Sequence, residues 1–305
     1  MKRVIISGGN GSHRNGTDTA TNKESCRNSD INESAFKKRN FNIPIHPLIH
    51  VKYCELKDYT ILENDTGKKY DVFYHFAWDG TTGSLRDDLY RQYCNIGYTL
   101  NSVDLAYRFG CKLWIGAGSQ AEYGRVQKKL TAQLSTNPEN GYGIAKLCAG
   151  QLSRELCRQR GLRHIWVRVA SVYGPYDNEN SMIMSTVKRL LNNEIQCFTK
   201  GEQEWDYLYS SDAAMAFWLL AERGLDGKVY CLGSGRSEPL YNYIEIIKMV
   251  VNKEAVVELG TKPYSDKQIM YLCADIEDLV NDTGFSPVVS FQEGIKNIKE
   301  FLESK

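Results

Sequence analysis

The chain has 305 residues, of which 42% are hydrophobic and 25% are charged, and its formal net charge is +1. This composition is typical of a globular protein, and the small net charge predicts no affinity for nucleic acid or an acidic membrane. No apolar run approaches the ~20 residues that span a bilayer, and no apolar leader opens the sequence, so we expect a cytoplasmic location. Nine scattered cysteines without a C-x-x-C pair and five dispersed histidines predict neither disulfides nor a metal site.

Short apolar runs alternate with longer segments of helical periodicity in the first half of the chain. We predict strands at Arg3–Ser7, His50–Cys54, Val72–Phe76, Lys112–Ile115 and His164–Val169, and helices at Leu85–Phe109 and Gly141–Arg160. Strands separated by helices favour an α/β fold with a parallel, doubly wound sheet and right-handed crossovers. Residues 1–175 are therefore predicted to form a Rossmann-type, dinucleotide-binding domain.

The pattern changes from about Tyr176 onward. Predicted helices are Met182–Asn192, Ser211–Glu222, Leu240–Val251, Asp275–Asp282 and Phe291–Leu302, and short strands are expected near Ile195–Thr199 and Lys228–Cys231. We interpret residues 176–305 as a smaller α/β lobe that binds substrate and is partly interleaved with the first domain.

The clearest chemical pattern is Tyr142 and Lys146, in the segment GYGIAK on a predicted helix. Side chains four residues apart share a helix face, and an ammonium beside a phenol favours the phenolate. Moving a tyrosine pKa from about 10 toward 7 takes roughly 4 kcal/mol, which a lysine and a positive nicotinamide ring could supply. The spacing alone is weak evidence, because Tyr53 and Lys57 repeat it at a predicted strand end.

Ser119 gives this pattern its context. It lies in GAGSQAEYG, directly after the predicted strand Lys112–Ile115. Parallel sheets of this kind present catalytic groups at the carboxyl ends of their strands. Ser119 alone would be interpreted as a turn serine. With Tyr142 and Lys146 on the next helix, we favour a hydroxyl that binds the substrate oxygen that Tyr142 protonates.

Four further segments, in this order and spacing, resemble the extended short-chain dehydrogenases/reductases that act on nucleotide sugars. They are YHFAWDG (Tyr74–Gly80), NIGYTLN (Asn95–Asn101), RVASVYGPYD (Arg168–Asp177) and EWDYLYSSDAA (Glu204–Ala214). The resemblance runs from Met1 to about Lys305, apart from Ser12–Glu33. It implies an NAD or NADP cofactor, a nucleotide-sugar substrate and a homodimer formed through the two helices of the first domain, with no nucleic acid, membrane or metal partner.

The resemblance also assigns roles to residues. It implies that Tyr142 is the acid/base, that Lys146 lowers its pKa and holds the nicotinamide ribose, and that Ser119 orients the C4 oxygen of the hexose. Asn95 falls at a further active-site position. The implied cofactor contacts are Gly8, Gly11, Glu55, Leu56, Phe76, Ala77, Trp78, Tyr142, Lys146, Ser171 and Val172, and the implied substrate contacts are Ser119, Gln120, Ala121, Tyr173 and Trp205.

Departures from the family pattern narrow the reaction. Family 4,6-dehydratases place Asp and Glu directly after the catalytic hydroxyl residue, where this chain has Gln120 and Ala121. Neither can act as an acid or base, so we disfavour dehydration. Trp205 replaces an arginine that often grips the substrate diphosphate, which puts that contact in doubt. Arg168 is better interpreted as a structural residue than as its substitute.

The first strand is followed by only part of a cofactor-binding loop. Gly8 and Gly11 fit the family fingerprint Gly-x-x-Gly-x-x-Gly, but Arg14 holds the third place, and the polar residues after it offer no apolar stripe. We hypothesise that Ser12 to about Glu33 is read out of frame. A one-base shift with allowed codons restores the third glycine, an apolar-faced helix and a second apolar strand. The alternative is a real, divergent loop with weakened cofactor binding.

Together these features predict hydride transfer between C4 of a nucleotide-linked hexose and a nicotinamide. The segment GSQAEYG looks most like reductases that make CDP- or dTDP-linked deoxyhexoses, which favours a 4-keto-6-deoxysugar reductase. A nucleotide-sugar 4-epimerase is the alternative. A cofactor-deficient, non-catalytic homologue is the alternative from another class.

Overall fold

The computed structural model describes residues 2–8 and 46–304. Gly11 and the segment Ser12–Glu33 lie outside these ranges, so the hypothesis of a shifted reading frame stays a prediction. The chain divides into two compact units. The first unit comprises Met1–Ala117 and Asn140–His164, and the second unit comprises Gly118–Glu139 and Ile165–Lys305. The functional boundary expected after residue 175 stays a prediction.

The elements follow one another as the periodicity suggests. The strands are β1 (Val4–Ser7), β2 (Val72–His75), β3 (Leu113–Ser119), β4 (Arg163–Val169), β5 (Ser171–Tyr173), β6 (Gln196–Cys197), β7 (Glu204–Trp205), β8 (Tyr207–Tyr209), β9 (Val229–Leu232), β10 (Glu238–Pro239) and β11 (Val257–Glu258). The helices are α1 (Leu89–Arg108), α2 (Gly141–Arg160), α3 (Met182–Leu191), α4 (Ser210–Arg223), α5 (Leu240–Val251), α6 (Glu277–Thr283) and α7 (Phe291–Glu303). Short 3-10 turns cover Leu56–Thr60, Gly83–Asp87 and Gln120–Glu122.

Five strands form the central parallel sheet, in the order β1-β2-β3-β4-β9. Every residue of β2 is buried, and β3 is buried at all but one position. Strands buried on both faces are typical of parallel sheets in α/β proteins, where neither face meets water. The predicted α/β fold with a Rossmann-type parallel sheet is confirmed.

Small elements build the rest of the second unit. Strands β5 and β8 pair in parallel, as do β6 and β11, whereas β7 and β10 are antiparallel. Helices α3, α5 and α7 pack together around a core that includes Val187, Ile247 and Ile295. In the ranges that the structure describes, no helix is both long enough and apolar enough to cross a membrane.

Several predicted boundaries are wrong. His50–Cys54 forms no strand: these residues have no regular secondary structure, Val51 is 47% and Tyr53 54% exposed, and they lead into the turn at Leu56–Thr60. The short apolar run suggested a strand, but within residues 2–8 and 46–304 no strand pairs with it. The expected helix start at Leu85 is also wrong, because Gly83–Asp87 forms a 3-10 turn.

Further differences concern where elements begin and end. Helix α1 begins at Leu89, where the side chain of Asp88 accepts a hydrogen bond from the backbone N–H of Arg91. The strand expected near Ile195–Thr199 shortens to the two residues of β6, and the helix expected from Asp275 begins at Glu277. Strand β3, by contrast, runs on to Ser119, which makes this serine the last residue of the strand.

Candidate active site

The first unit brings Tyr142 and Lys146 together on α2. Asn140 starts this helix, because its side chain accepts a hydrogen bond from the backbone N–H of Gly143 at 2.8 Å. One turn separates the two side chains, and the Nζ of Lys146 lies 5.8 Å from the centroid of the Tyr142 ring. Lys146 is only 4% exposed, and its Nζ donates to the carbonyl oxygen of Ala117 at 2.6 Å. The ammonium is therefore held in place beside the phenol.

Trp78 completes this group from the turn after β2. The Nζ of Lys146 lies 3.8 Å from the centroid of the Trp78 ring, and the rings of Trp78 and Tyr142 meet edge-on with centroids 6.0 Å apart. A cation over an indole face is stabilised by the ring quadrupole. The indole Nε1 donates to Oε1 of Gln92 at 2.8 Å, which fixes the ring in this orientation.

Arg86, which was not predicted as a site residue, lies against the ring of Tyr142. Its guanidinium carbon is 4.6 Å from the centroid of the Tyr142 ring. Within residues 2–8 and 46–304, no acceptor bonds its buried Nε. Arg91, five residues later, instead pairs with both Asp79 and Asp88. Arg86 lies in a 3-10 turn, where no periodicity marks a functional side chain.

Two buried amides on α1 hold the loop that carries Trp78 and Arg86. Asn95 accepts from the backbone N–H of Asp79 at 2.9 Å and donates to its carbonyl at 2.8 Å. Gln92 donates to the carbonyls of Gly80 and Leu85 at 2.8 and 2.9 Å. The structure thus places Asn95 in a loop-supporting position, and its direct role in the reaction stays a prediction.

His75 lies directly below this loop, at the end of β2. It is 3% exposed, and Ser7 Oγ lies 2.9 Å from its Nδ1 while Thr99 Oγ1 lies 3.3 Å from its Nε2. Burial lowers the pKa of His75 to about 3, and the charge of Lys146 adds to the shift. The imidazole is therefore neutral at ordinary pH and serves as a hydrogen-bonding element of the sheet.

The end of β1 has no room for a side chain. Gly8 has a φ of +89°, and a Cβ added there would lie 2.4 Å from the backbone nitrogen of Ala77 and 2.7 Å from the carbonyl carbon of Phe76. Three predicted cofactor residues therefore meet at this point, and only glycine fits. A backbone left bare at a strand end suits the close approach of a phosphate, so these residues fit a dinucleotide.

Other predicted cofactor residues lie elsewhere in the two units. Glu55 precedes the turn that begins at Leu56 and forms an exposed ion pair with Lys57 at 2.7 Å. In the second unit, the indole Nε1 of Trp205 donates to Ser171 Oγ at 2.9 Å, and Val172 is the next residue of β5. Their contacts with a cofactor stay predictions.

Tyr173 occupies the core of the second unit. It is 2% exposed, its hydroxyl donates to the carbonyl of Phe291 at 3.4 Å, and its ring packs against Tyr207 and Tyr209. Burial raises the pKa of Tyr173 well above its ordinary value. These contacts give it a packing role, and substrate contact stays a prediction.

Ser119 ends β3 and caps the 3-10 turn formed by Gln120, Ala121 and Glu122. Its Oγ accepts from the backbone N–H of Ala121 at 3.2 Å, and its own N–H donates to Oε1 of Glu122 at 2.9 Å. Ser119 is 8% exposed. The Ser119 oxygen is therefore an acceptor in this turn, and a hydroxyl can also donate.

Glu122 lies at the centre of a buried polar network in the second unit. It is 0% exposed, and Oε1 accepts from Trp166 Nε1 at 3.0 Å while Oε2 accepts from Arg168 Nε at 2.7 Å. Arg168 also donates to the hydroxyl of Tyr123 at 2.9 Å. Burial by itself would lower the pKa of Arg168, but Glu122 and Tyr123 beside it give a net rise. Glu122 was not predicted as a site residue, although it stands three residues after Ser119, the spacing of a capping box.

A cavity of about 320 Å³ lies within the second unit, and its lining includes none of the predicted site residues. It is lined by Thr131, Ala132, Gln133, Cys231, Asp275, Glu277, Asp278 and Asn281. Across the described ranges, no group of three or more His, Cys, Asp or Glu side chains is arranged to hold a metal ion.

Comparison with known proteins identifies the family. The model described as "NAD dependent epimerase/dehydratase family" matches residues 15–233, well over half of the chain. CDP-abequose synthase of Salmonella muenchen is 29% identical over 234 residues, which cover 75% of this chain and 76% of that protein. The dTDP-4-dehydro-6-deoxyglucose reductase of Escherichia coli is 25% identical over 225 residues, which cover 72% and 69%.

Solved structures share the fold along the chain. A UDP-N-acetylglucosamine 4-epimerase from Methanobrevibacter ruminantium M1, in complex with UDP-N-acetylmuramic acid, superposes with a TM-score of 0.81. It is 22% identical, and the match covers 99% of this chain and 98% of that chain. Other structures of this fold contain NADPH or NAD. The predicted enzyme class and the predicted NAD(P) cofactor are confirmed, and the chain belongs to the NAD-dependent epimerase/dehydratase family of the extended short-chain dehydrogenases/reductases.

Proposed function

We propose that this enzyme transfers a hydride between C4 of a nucleotide-linked hexose and NAD(P), and that it is a 4-keto-6-deoxysugar reductase. The observation that carries the proposal is the buried ammonium of Lys146, which lies on the same helix face as Tyr142. The carbonyl of Ala117 and the ring of Trp78 hold this ammonium in place. A fixed cation beside a phenol is the arrangement that proton transfer to a sugar oxygen needs.

The residues divide the work as follows. Bound NAD(P)H supplies the hydride. Tyr142 gives its phenolic proton to the C4 oxygen, and Lys146 stabilises the phenolate that remains. The hydroxyl of Ser119 donates a hydrogen bond to the same C4 oxygen and orients it. The tightly packed end of β1 at Gly8 receives the dinucleotide.

The three residues after Ser119 favour reduction over dehydration. Gln120 and Ala121 carry no proton to exchange. Glu122 is the next residue, but its carboxylate is fully buried and faces three hydrogen-bond donors. A fully buried carboxylate that is bonded in this way is not accessible to a substrate for the removal of water between C5 and C6.

The alternative reaction is 4-epimerisation, which uses the same tyrosine, lysine and serine. Two findings favour the reductase: the segment GSQAEYG, and a relative named as a dTDP-4-dehydro-6-deoxyglucose reductase. Solved relatives named as 4-epimerases share the fold, and fold alone does not choose between reactions. The homodimer and the cytoplasmic location also stay predictions.

The test is a panel of CDP- and dTDP-linked 4-keto-6-deoxyhexoses with NADH and NADPH, followed by absorbance at the nicotinamide band. We expect stoichiometric oxidation of the reduced cofactor. Tyr142→Phe should lower the rate at least a hundredfold, whereas the control Tyr90→Phe, at a side chain that is 85% exposed on α1, should keep it. Tightly retained NAD with epimerised product instead supports the 4-epimerase. No cofactor binding at millimolar concentration supports the non-catalytic alternative.

A further inference from the structure

We propose that Glu122 is a positioning residue that fixes the backbone and hydroxyl of Ser119 for the reaction. The proposal rests on the proposed function and adds a residue to it. Glu122 touches no reacting atom, and it acts through Ser119, whose N–H it accepts at 2.9 Å.

The carboxylate of Glu122 is buried at the end of β3, next to Ser119. A serine followed three residues later by a glutamate often forms a capping box on a helix surface. Here the same pairing is fully buried at the end of β3, with Glu122 0% and Ser119 8% exposed. The contact is therefore dry, and loss of its acceptor would leave the Ser119 N–H buried and unpaired.

The carboxylate of Glu122 packs tightly against the end of β3. A Cβ added to Gly118 would lie 2.4 Å from both Glu122 Oε1 and Trp166 Nε1. The residue before Ser119 is thus pressed against the network that Glu122 organises. Ser119 keeps extended dihedrals, with φ −150° and ψ 150°, while the chain turns sharply after it. The carboxylate joins the strand to the turn at the residue that carries the hydroxyl.

The charge of Glu122 separates a positioning role from a purely structural one. The carboxylate of Glu122 and the guanidinium of Arg168 form a buried ion pair, and such pairs are seldom required for stability, because apolar pairs of similar volume often replace them without loss. A merely structural role therefore predicts that an apolar replacement works as well. A positioning role predicts that an acceptor for the Ser119 N–H must remain.

Two double variants separate these roles. Glu122→Gln with Arg168→Gln keeps an oxygen that can accept from Ser119 but carries no charge. Glu122→Met with Arg168→Met keeps the volume and removes the acceptor. We expect the Gln pair to retain kcat within about threefold and the Met pair to lower kcat at least tenfold. The exposed pair Glu194→Met with Arg189→Met, at the end of α3, is the matched control and should leave kcat unchanged.

Coupling to Ser119 is the readout that a structural role would not move. In a Ser119→Ala background, the Met pair should lower kcat less than twofold further, because the hydroxyl that it misplaces is already gone. A tenfold loss that persists in this background overturns the proposal. So does a Met pair with wild-type kcat.

A second measurement keeps the test independent of turnover. If wild-type protein proves inactive on every sugar, the proposed function fails, and amide hydrogen exchange at Ser119 then decides about Glu122. The Met pair should exchange this amide at least tenfold faster than the Gln pair. Equal protection in both double variants would show that Glu122 does not fix Ser119.

Discussion

The two units each bury a charged side chain next to a predicted catalytic residue, and they do so by different means. In the first unit, Lys146 lies over the Trp78 ring and donates to a backbone carbonyl. In the second unit, Glu122 forms an ion pair with Arg168 and accepts from two N–H groups. A ring face and a carbonyl oxygen carry no formal charge and do not neutralise the lysine, whereas an ion pair has no net charge and supplies rigidity.

This difference predicts which substitutions should lower the activity and which should lower the stability of the fold. Removal of the Lys146 charge should cost activity first, because the charge itself is the functional element. Removal of Glu122 alone should cost stability first, because it leaves Arg168 buried without its carboxylate.

The largest effect is expected from Lys146→Met. Loss of the ammonium removes the group that stabilises the Tyr142 phenolate, so kcat/KM should fall by about a hundredfold or more. Steady-state kinetics with the preferred sugar measures this change. The control Lys296→Met, at an exposed position of α7, should leave kcat/KM within twofold of wild type. Equal losses in both variants would contradict the role of Lys146.

The next effect is on folding. Glu122→Ala should lower the free energy of unfolding by about 3–5 kcal/mol, because it strands a buried guanidinium. Glu155→Ala removes the partner of an exposed arginine and should cost less than about 1 kcal/mol. Denaturant unfolding followed by circular dichroism measures both. If the two variants unfold alike, the ion pair of Glu122 is not the rigid element that we describe.

Acid should weaken the first unit through His75. Because burial lowers its folded pKa to about 3, the neutral imidazole stabilises the fold fully above its unfolded pKa of about 6.5. Between about pH 6.5 and 3, His75 binds a proton in the unfolded chain but not in the folded chain. The free energy of unfolding should therefore fall by about 1.4 kcal/mol for each unit by which the pH is lowered. Unfolding of His75→Asn should show a shallower pH slope than that of the exposed-site control His50→Asn. Identical slopes would argue against this assignment.

The smallest effect is expected from Trp78→Phe. The phenyl ring keeps a weaker cation–π contact with Lys146 and loses the hydrogen bond to Gln92, so kcat/KM should fall by about fivefold. Trp218→Phe, at an indole that is 54% exposed on α4, is the matched control. A Trp78→Phe enzyme with wild-type kinetics would show that the indole does not support the lysine.

The sequence predicted the parts of the site that depend on local periodicity. Tyr142 and Lys146 lie four apart on a helix with regular apolar spacing, so their shared face follows from helix geometry. Ser119 follows a buried strand, and its place at the carboxyl end of β3 agrees with the pattern. Gly8 could be assigned because a glycine after the first strand of such a fold has a specific steric purpose.

Other parts depend on partners that are distant in sequence. Glu122 contacts Trp166 and Arg168, and nothing local reveals those partners. Arg86 reaches Tyr142 from an irregular turn. The wrong strand at His50–Cys54 shows the same limit, because a short apolar run predicts the shape of a strand but not the presence of a neighbour.

The frame hypothesis for Ser12–Glu33 concerns residues outside the described ranges and is tested by the gene. Sequencing this region shows whether a one-base shift yields glycine at position 14. Codons that cannot yield it would leave a divergent loop as the explanation.

The central claim is that hydride moves between the nicotinamide and C4 of the sugar. The direct measurement uses NAD(P)H deuterated at the transferable position of the nicotinamide, with the 4-keto sugar that the enzyme accepts, and locates the label in the product by NMR. Our account predicts one deuterium on C4 and none elsewhere. Product that forms without deuterium at C4, or with the label at another carbon, would contradict it.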